Sequence, residues 1–291
     1  MMFISKKHLH LALIHNSMKN TLLLIIIFCV SFCKSQNIRH DKEVNVLFIG
    51  NSLTYFHDMP KMLQTMLNET DQHFKIYQST FPGMSLSDHL DEIIVARTEN
   101  MVNTRKKTGS ETTETEKMIA ERNWDVIILQ TGQVSILIPE DRDLDIDYSI
   151  KAIKKLVSNP DCKFILFTTW AGKENYPQKY CYPSKITLAP ASCSPLIKDF
   201  EQHQKLLSEG HSLLASKNDL IQSKNGEKFY EVMTRYPDIE LLEDDIHPNK
   251  TGSFFNACIF YSLLTNKDAS QLKYLGEIKP ETANRLKEMA K

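Results

Sequence analysis

The chain contains the apolar run Val44-Asn45-Val46-Leu47-Phe48-Ile49, followed at once by Gly50-Asn51-Ser52-Leu53-Thr54. A nearly continuous apolar run of this length is typical of a β-strand that is covered on both faces. Glycine and asparagine directly after such a run favour a turn. The sequence therefore predicts a buried first strand with Ser52 on the turn at its carboxyl end.

Four further apolar runs follow, and helical patterns alternate with them. The predicted strands cover residues 44–49, 74–79, 126–130, 164–169 and 219–223, and the predicted helices cover 60–69, 112–122, 146–157, 197–216 and 251–264. This alternation is typical of parallel strands joined by right-handed crossovers. The predicted fold is α/β, a three-layer α/β/α sandwich with a five-stranded parallel sheet.

Polar or small residues lie where the predicted strands end. Ser52 follows the first strand, Gly83 follows the second, Gln130 ends the third and Trp170 follows the fourth. Parallel sheets bind ligands at the carboxyl ends of their strands. We therefore expect these residues to lie along one edge of the sheet and to form one site.

A second motif lies near the C-terminus and reads Asp244-Asp245-Ile246-His247-Pro248-Asn249. Nucleophilic catalysis by serine needs an imidazole that takes the hydroxyl proton and a carboxylate that orients the imidazole. The three-residue spacing favours Asp244 over Asp245 as the partner of His247. The sequence therefore predicts a catalytic set of Ser52, His247 and Asp244.

These motifs resemble those of the SGNH (GDSL-like) hydrolases over residues 44–265. Residues 49–54 resemble the first block of that family, residues 81–85 the second and residues 241–252 the last. The resemblance implies a flavodoxin-like sandwich, a serine esterase activity without a metal or organic cofactor, and an oxyanion held by the N–H groups of Ser52 and Gly83.

The third family block departs from the usual pattern. The family usually carries Gly-x-Asn-Asp after the third strand, whereas this chain reads Leu129-Gln130-Thr131-Gly132-Gln133. Either Gln130 or Gln133 can supply the missing amide donor to the oxyanion. The position of Gln130 at the end of a strand favours it, and Gln133 is the alternative.

Several other side chains are candidates for this edge of the sheet. Asn51 is expected to buttress the turn and to contact substrate, together with Trp170 and Tyr180 from a long loop over residues 170–196 that is predicted to wall the site or simply to cover the surface. Residues 104–117 are predicted to form a solvated loop that leads into a helix. Surface positions are expected for His203 and His211.

His57, beside Asp58, is interpreted as an ordinary loop residue, with a place in the pocket as the alternative. A metal site built from His57, Asp58, Asp244 and His247 is not demanded by their spacing.

The N-terminus has the pattern of an export signal. Met18 is a candidate true start, with Met1 a mis-assigned one, and residues 21–32 are apolar over the length of a signal-peptide core. Cleavage after residue 35 is expected, which leaves residues 36–291 as a single domain. The alternatives are an uncleaved anchor and lipidation at Cys33. The predicted location is periplasmic, cell-surface or secreted, with no stable membrane span after cleavage.

Composition limits the possible partners. The net charge of −1 becomes −5 when residues 1–35, with four lysines and no acidic residue, are removed. A negative chain is unlike a general nucleic-acid binder. Cys181 and Cys193 flank a proline-rich loop and can form a disulfide in an exported protein, while Cys162 and Cys258 are interpreted as buried thiols.

The sequence thus predicts an exported serine esterase that hydrolyses O-acyl or O-acetyl esters of small molecules or glycans. Two alternatives stay open at this level: a lipid esterase or thioesterase on the same catalytic set, and a non-catalytic glycan-binding protein of the same fold. The sequence does not indicate an oligomeric state.

Overall fold

A computed structural model of the chain describes residues 43–98, 101–184 and 189–291. The proposed signal segment at residues 1–35 lies outside the described residues, as do its alternatives. Among the described helices, none is both long and apolar enough to cross a membrane.

The core of the fold is a five-stranded, all-parallel sheet. Its strands lie in the spatial order Phe74–Thr80, Val44–Gly50, Val126–Leu129, Lys163–Leu166 and Ile221–Gln222. This confirms the predicted three-layer α/β/α sandwich and its five-stranded sheet. The strands of the sheet are β1 (Val44–Gly50), β2 (Phe74–Thr80), β5 (Val126–Leu129), β6 (Lys163–Leu166) and β9 (Ile221–Gln222). The strands β3 (Glu92–Arg97) and β4 (Val102–Lys106) form a separate antiparallel hairpin, and β7 (Cys181–Tyr182) pairs with β8 (Ser192–Cys193) in another.

Ten α-helices occur in the described part of the chain. They are α1 (Ser52–Tyr55), α2 (Met59–Leu67), α3 (Leu86–Asp91), α4 (Glu114–Ala120), α5 (Gln133–Leu137), α6 (Asp147–Leu156), α7 (Phe200–Asn218), α8 (Asn225–Arg235), α9 (Lys250–Thr265) and α10 (Pro280–Met289). Short 3-10 turns cover Phe56–Asp58 and Ala269–Gln271, and a π-helical segment covers Asp141–Ile146.

Alternating side chains of β1 contribute to two separate hydrophobic clusters. Val46 and Phe48 pack with residues of α2, α8, α9 and α10. Leu47 and Ile49 pack with residues of α3, α4, α5, α6 and α7. All four side chains are fully buried. Because successive residues of a strand face opposite sides of the sheet, an apolar run without alternation is what a doubly covered strand requires.

The largest departure from the predicted elements is at residues 104–117. The sequence predicts a solvated loop there, but residues up to Lys106 belong to β4 of the β3–β4 hairpin. The charged residues of β4 are compatible with a strand because the hairpin lies outside the central sheet. Pairing with β3, rather than local hydrophobicity, therefore determines this strand.

Candidate active site

The backbone around Ser52 is held by the side chain that precedes it. Ser52 is the first residue of α1, and Asn51 is the N-cap, whose Oδ1 accepts a hydrogen bond from the N–H of Leu53 at 3.2 Å. The Asn51 Nδ2 donates to the carbonyl of Met84 at 3.1 Å, in the turn after β2. Asn51 therefore joins the ends of two neighbouring strands, as expected of a buttress, and it also lines the cavity above Ser52.

Ser52, His247 and Asp244 lie within hydrogen-bond reach in the order that the sequence predicts. The Oγ of Ser52 is 2.9 Å from Nε2 of His247, and Nδ1 of His247 is 2.6 Å from Oδ2 of Asp244. With Nδ1–H donated to the carboxylate, Nε2 is left as the acceptor for the serine hydroxyl. This arrangement can remove the proton from Ser52 as the oxygen attacks an electrophile.

A short, heavily hydrogen-bonded loop holds Asp244 against His247. Oδ1 of Asp244 accepts from the backbone N–H groups of Ile246 (2.8 Å) and His247 (2.6 Å). Burial alone would raise the pKa of Asp244, but the hydrogen bonds from His247 and Ile246 outweigh it and hold the pKa below its ordinary value. The carboxylate is therefore ionised over the neutral range, as an orienting group must be. Asp245 makes no such contact with the imidazole.

The segment directly after α1 packs against the same loop. The ring of Phe56 stacks on the imidazole of His247, with ring centres 4.2 Å apart and planes 10° from parallel. His57 and Asp58 both have left-handed backbone, with φ of 50° and 55°. Nε2 of His57 lies 2.5 Å from Oε2 of Glu243, the residue before Asp244. His57 therefore belongs to the support of the site and does not line the cavity above Ser52.

The predicted oxyanion donors Ser52 and Gly83 lie at the same cavity. Gly83 has a φ of +68° in the turn after β2, a conformation that favours glycine. Among the described residues, neither the N–H of Gly83 nor that of Ser52 has a hydrogen-bond acceptor. Both N–H groups are thus available to a ligand.

Gln130, the favoured third donor, is committed elsewhere. Its Oε1 accepts from the N–H of Asn51 (2.8 Å) and the hydroxyl of Thr54 (3.0 Å), and its Nε2 donates to the carbonyl of Thr131 (2.7 Å). The preference for Gln130 is therefore wrong, because its amide is hydrogen-bonded under the turn and Gln130 does not line the cavity. A Cβ at Gly50 would lie only 2.6 Å from Oε1 of Gln130, so this packing also requires glycine at position 50.

Gln133, in contrast, lines the cavity and has a side-chain amide that is free within the described residues. It is the first residue of α5, lines the cavity and is 2% exposed. Neither its Nε2 nor its Oε1 has a hydrogen-bond partner among the described residues. A buried amide without a partner costs free energy, which a ligand that accepts its N–H would recover.

The long loop over residues 170–196 contributes to the site through only one of its two predicted contact residues. Tyr180 lines the cavity, and its hydroxyl donates to the carboxylate of Glu174. Trp170, in contrast, is fully buried, stacks on Phe229 at 3.9 Å and donates from Nε1 to the carbonyl of Ile246. The prediction that Trp170 contacts substrate is wrong; it supports the loop that carries His247. The loop also contains a Cys181–Cys193 disulfide.

The two free cysteines differ in burial. Cys258 is buried as predicted, whereas Cys162 is only half-buried.

Two histidines predicted at the surface are in the core. His203 and His211 are 0% and 1% exposed. Nδ1 of His203 lies 2.9 Å from the hydroxyl of Tyr176, and Nδ1 of His211 donates to the carbonyl of Leu207. The prediction was wrong because the polar helix pattern of α7 does not reveal that its histidines face the sheet and the loop over residues 170–196.

One supporting residue carries no signal in the sequence. His89 of α3 is buried, and its Nε2 lies 2.9 Å from the carbonyl of Gly50 directly before the turn that bears Ser52. Its Nδ1 lies 2.6 Å from the hydroxyl of Thr115 in α4. Only the packing of α3 and α4 beneath β1 brings these groups together.

The cavity over Ser52 has a volume of about 860 Å³ and is open to solvent. Its walls come from the segments that follow β1, β2, β5 and β6 and from the loop between α8 and α9. The residues are Asn51, Ser52, Leu53, Tyr55, Phe56, Pro82, Gly83, Gly132, Gln133, Val134, Ser135, Glu174, Tyr180, Tyr182, Asp244, Asp245, Ile246 and His247. Within residues 43–98, 101–184 and 189–291, no group of three or more histidine, cysteine or acidic side chains is placed to hold a metal ion.

Solved structures share this architecture. A DUF4886 family protein from Bacteroides uniformis superposes with a TM-score of 0.64 at 15% identity, covering 86% of this chain and 93% of that one. A protein described as a candidate SGNH hydrolase from Slackia heliotrinireducens gives a TM-score of 0.52 at 17% identity, covering 77% and 100%. The chain has the SGNH-hydrolase fold.

These structures confirm the fold that the resemblance of the sequence blocks implies. A candidate GDSL-like lipase from Parabacteroides merdae is more distant, with a TM-score of 0.48 at 14% identity over 79% of this chain and 98% of that one. No family model and no curated protein sequence matches the chain. At such low identities the likeness establishes the SGNH-hydrolase fold alone.

Proposed function

We propose that the protein is an exported serine esterase that hydrolyses carboxylic O-acyl esters. The observation that carries this proposal is the unbroken chain of contacts from Ser52 Oγ to His247 (2.9 Å) and from His247 to Asp244 (2.6 Å) at the floor of an open cavity. A serine that only capped a helix would have no need of an imidazole in turn oriented by a carboxylate.

The chemistry follows from the positions of these groups. Ser52 Oγ attacks the ester carbonyl carbon while Nε2 of His247 takes its proton, and the resulting imidazolium is stabilised by Asp244. The tetrahedral oxyanion is held by the N–H groups of Ser52 and Gly83 and by Nε2 of Gln133. His247 then protonates the departing alcohol, which leaves an acyl-enzyme. Water, deprotonated by His247, hydrolyses the acyl-enzyme and releases the acid.

The helix start at Ser52 contributes to charge stabilisation. Its free N–H points out of the first turn of α1, and the N-terminal end of a helix carries partial positive charge. Donors that are already oriented cost no reorganisation when the negative charge develops. This favours acyl transfer over a purely binding role.

We further propose that the substrates are esters of small hydroxylated molecules or glycans, such as O-acetyl groups. The cavity walls combine tyrosine rings (Tyr180, Tyr182) with carboxylates (Glu174, Asp245), which suits a polyhydroxylated alcohol that both stacks and donates hydrogen bonds. Export of the protein rests on the signal pattern at residues 1–35.

A fluorophosphonate probe tests the nucleophile directly, because it labels only an activated serine. We expect labelling at Ser52, and we expect Ser52→Ala to abolish labelling and to lower kcat for p-nitrophenyl acetate by at least about 10³-fold. Ser135→Ala is the matched control, since Ser135 lines the same cavity. Folded protein that is not labelled would favour the non-catalytic, glycan-binding alternative.

A further inference from the structure

The cavity over Ser52 carries mainly negative charge. Three carboxylates line it, those of Glu174, Asp244 and Asp245, while no lysine or arginine occurs among its described lining residues. Asp244 is balanced by His247 when the imidazole is protonated. Glu174 and Asp245 have no such cationic partner among the described residues, since the neighbouring Lys173 pairs with Glu240.

Glu174 is held in place through the backbone before it and through its own carboxylate. The N–H of Lys173 donates to the carbonyl of Asp245 at 2.8 Å, and a Cβ at Gly172 would lie only 2.4 Å from that carbonyl oxygen. The segment is therefore packed directly on the loop that carries His247. The Glu174 carboxylate itself accepts a hydrogen bond from the hydroxyl of Tyr180.

Tyr180 is anchored in turn. Its N–H donates to Oγ of Ser194 at 3.1 Å, its carbonyl accepts from the N–H of Ser194 at 2.8 Å, and the adjacent Cys181 is joined to Cys193. The position of the Glu174 carboxylate thus results from an ordered network. A carboxylate with a defined position can contribute to selectivity, because its field acts on every bound molecule in the same way.

The carboxylates of Glu174 and Asp245 repel each other. Burial raises the pKa of Glu174, and the negative charge of Asp245 raises it further. An additional negative charge on a bound molecule would meet the same repulsion at short range. The buried amide of Gln133, without a partner in the same cavity, independently indicates that this space is built for a ligand.

We propose that Glu174 and Asp245 select substrates by charge, so that esters with a cationic or neutral alcohol portion are hydrolysed in preference to esters with an anionic one. The inference rests on the proposed esterase function and names its substrate class more closely. It makes thioesters of phosphorylated carriers and esters of acidic sugars poorer substrates. In an acetyl ester the acyl group is small, so the alcohol portion occupies the part of the cavity that these carboxylates line.

Three aryl acetates of matched shape test the proposal. They are meta-acetoxyphenylacetate (anionic), its N-methylamide (neutral) and meta-acetoxybenzyl-trimethylammonium (cationic). At pH 8 and low ionic strength, we expect kcat/KM, divided by the spontaneous hydrolysis rate of each ester, to be about tenfold higher for the cation than for the anion. The ratio is expected to shrink towards one in 0.5 M NaCl, roughly as ionic screening requires.

Substitution of the two carboxylates tests whether they cause the charge selectivity. Glu174→Gln keeps an acceptor for Tyr180 but removes the charge, and we expect it to lower the cation-to-anion ratio about threefold. Asp245→Asn should act in the same direction, and the double variant should bring the ratio close to one. Glu201→Gln, on the exposed surface of α7 and outside the cavity, is the matched control and should leave the ratio unchanged.

Different results would contradict the charge selectivity and the esterase activity. Equal corrected rates for the three wild-type substrates, or an unchanged ratio in the double variant, would overturn the charge selectivity while leaving the esterase intact. Failure to hydrolyse any of the three esters would contradict the proposed function itself. If a variant does not fold, the salt dependence of the wild-type ratio still decides the question.

Discussion

Two glutamines three residues apart have opposite roles in this protein. Gln130 makes three hydrogen bonds under the Ser52 turn, whereas Gln133 lines the cavity and its buried amide has no partner among the described residues. In the first case the side chain stabilises the fold. In the second its desolvation is not compensated by a hydrogen bond within the described part of the protein. The chemistry of the residue type is identical, so position alone separates the two.

We expect Gln133→Ala to lower kcat about 10²–10³-fold, the loss that follows removal of one oxyanion donor. Its thermal stability should be unchanged or slightly higher, because the amide has no intramolecular hydrogen bond to lose. Steady-state kinetics on p-nitrophenyl acetate together with a melting curve check both parts. An unchanged kcat would remove Gln133 from the oxyanion site.

Gln130→Ala should mainly affect stability. It leaves the N–H of Asn51, the hydroxyl of Thr54 and the carbonyl of Thr131 without their partner, and we expect the free energy of unfolding to fall by roughly 2–4 kcal/mol. Urea denaturation measures this change, with Gln72→Ala on the exposed surface as the control. A variant as stable as the wild type would show that water replaces the lost amide.

At the scale of elements, the connection between α1 and α2 supports the catalytic loop. It contributes the Phe56 ring stacked on His247 and the pair between His57 and Glu243. Left-handed backbone at two successive non-glycine residues costs of order 1–3 kcal/mol each, so surrounding contacts have to maintain it. The Oγ of Ser253 in α9 donates to the carbonyl of Phe56 and is one such contact.

The His57–Glu243 pair is expected to position the loop rather than to stabilise the protein. Both side chains are partly exposed, so the pair adds little to stability. We expect Glu243→Ala to lower kcat about tenfold with little change in KM, because small displacements of catalytic groups are costly.

Glu243→Gln retains an acceptor for His57 and should restore most of the activity. Glu281→Ala, which removes an exposed ion pair on α10, is the control. Equal loss in the Gln and Ala variants of Glu243 would contradict a positioning role.

At the scale of the whole molecule, three histidines of the described residues are buried in the neutral form. Burial lowers the pKa of His89, His203 and His211 to about 4 in each case. For His211 the hydrogen bonds explain why: Nδ1 donates to Leu207 while Nε2 accepts from the N–H of Thr169. A second proton on this ring would face a donor.

Stability should therefore fall on mild acidification. Each histidine has an ordinary pKa near 6.5 when unfolded, so the unfolded chain binds more protons between pH 6.5 and 4. The contribution is complete above pH 6.5 and is lost as the pH falls, by about 1.4 kcal/mol per pH unit for each histidine. Urea denaturation at several pH values between 5 and 7 measures this slope.

Replacing one histidine tests the origin of the slope. His211→Gln should reduce it by about a third, since one of three groups no longer takes up a proton. His73→Gln, at an exposed position, should leave it unchanged. A slope that is the same in both variants would assign the acid sensitivity to other groups.

Much of the architecture could be predicted because its signals are local. The apolar run of β1 and the alternation of strands and helices depend on hydrophobic periodicity, which is visible in a single sequence. The β3–β4 hairpin, in contrast, is polar and depends on pairing between strands. Helices α3, α5, α8 and α10 were not predicted, and β9 is shorter than expected.

For the site, too, local sequence patterns predicted some features and tertiary packing decided the others. The sequence by itself predicted the parallel sheet, because short apolar runs that alternate with helical patterns are typical of one. It also placed Ser52 at the carboxyl edge of that sheet and named Asp244 and His247 as its partners. Only the tertiary structure decided which glutamine faces the cavity, that Trp170 and two histidines are buried, and that Glu174 lies beside Asp245. Those outcomes depend on side-chain directions and on contacts between residues far apart in the chain, and no local pattern encodes either.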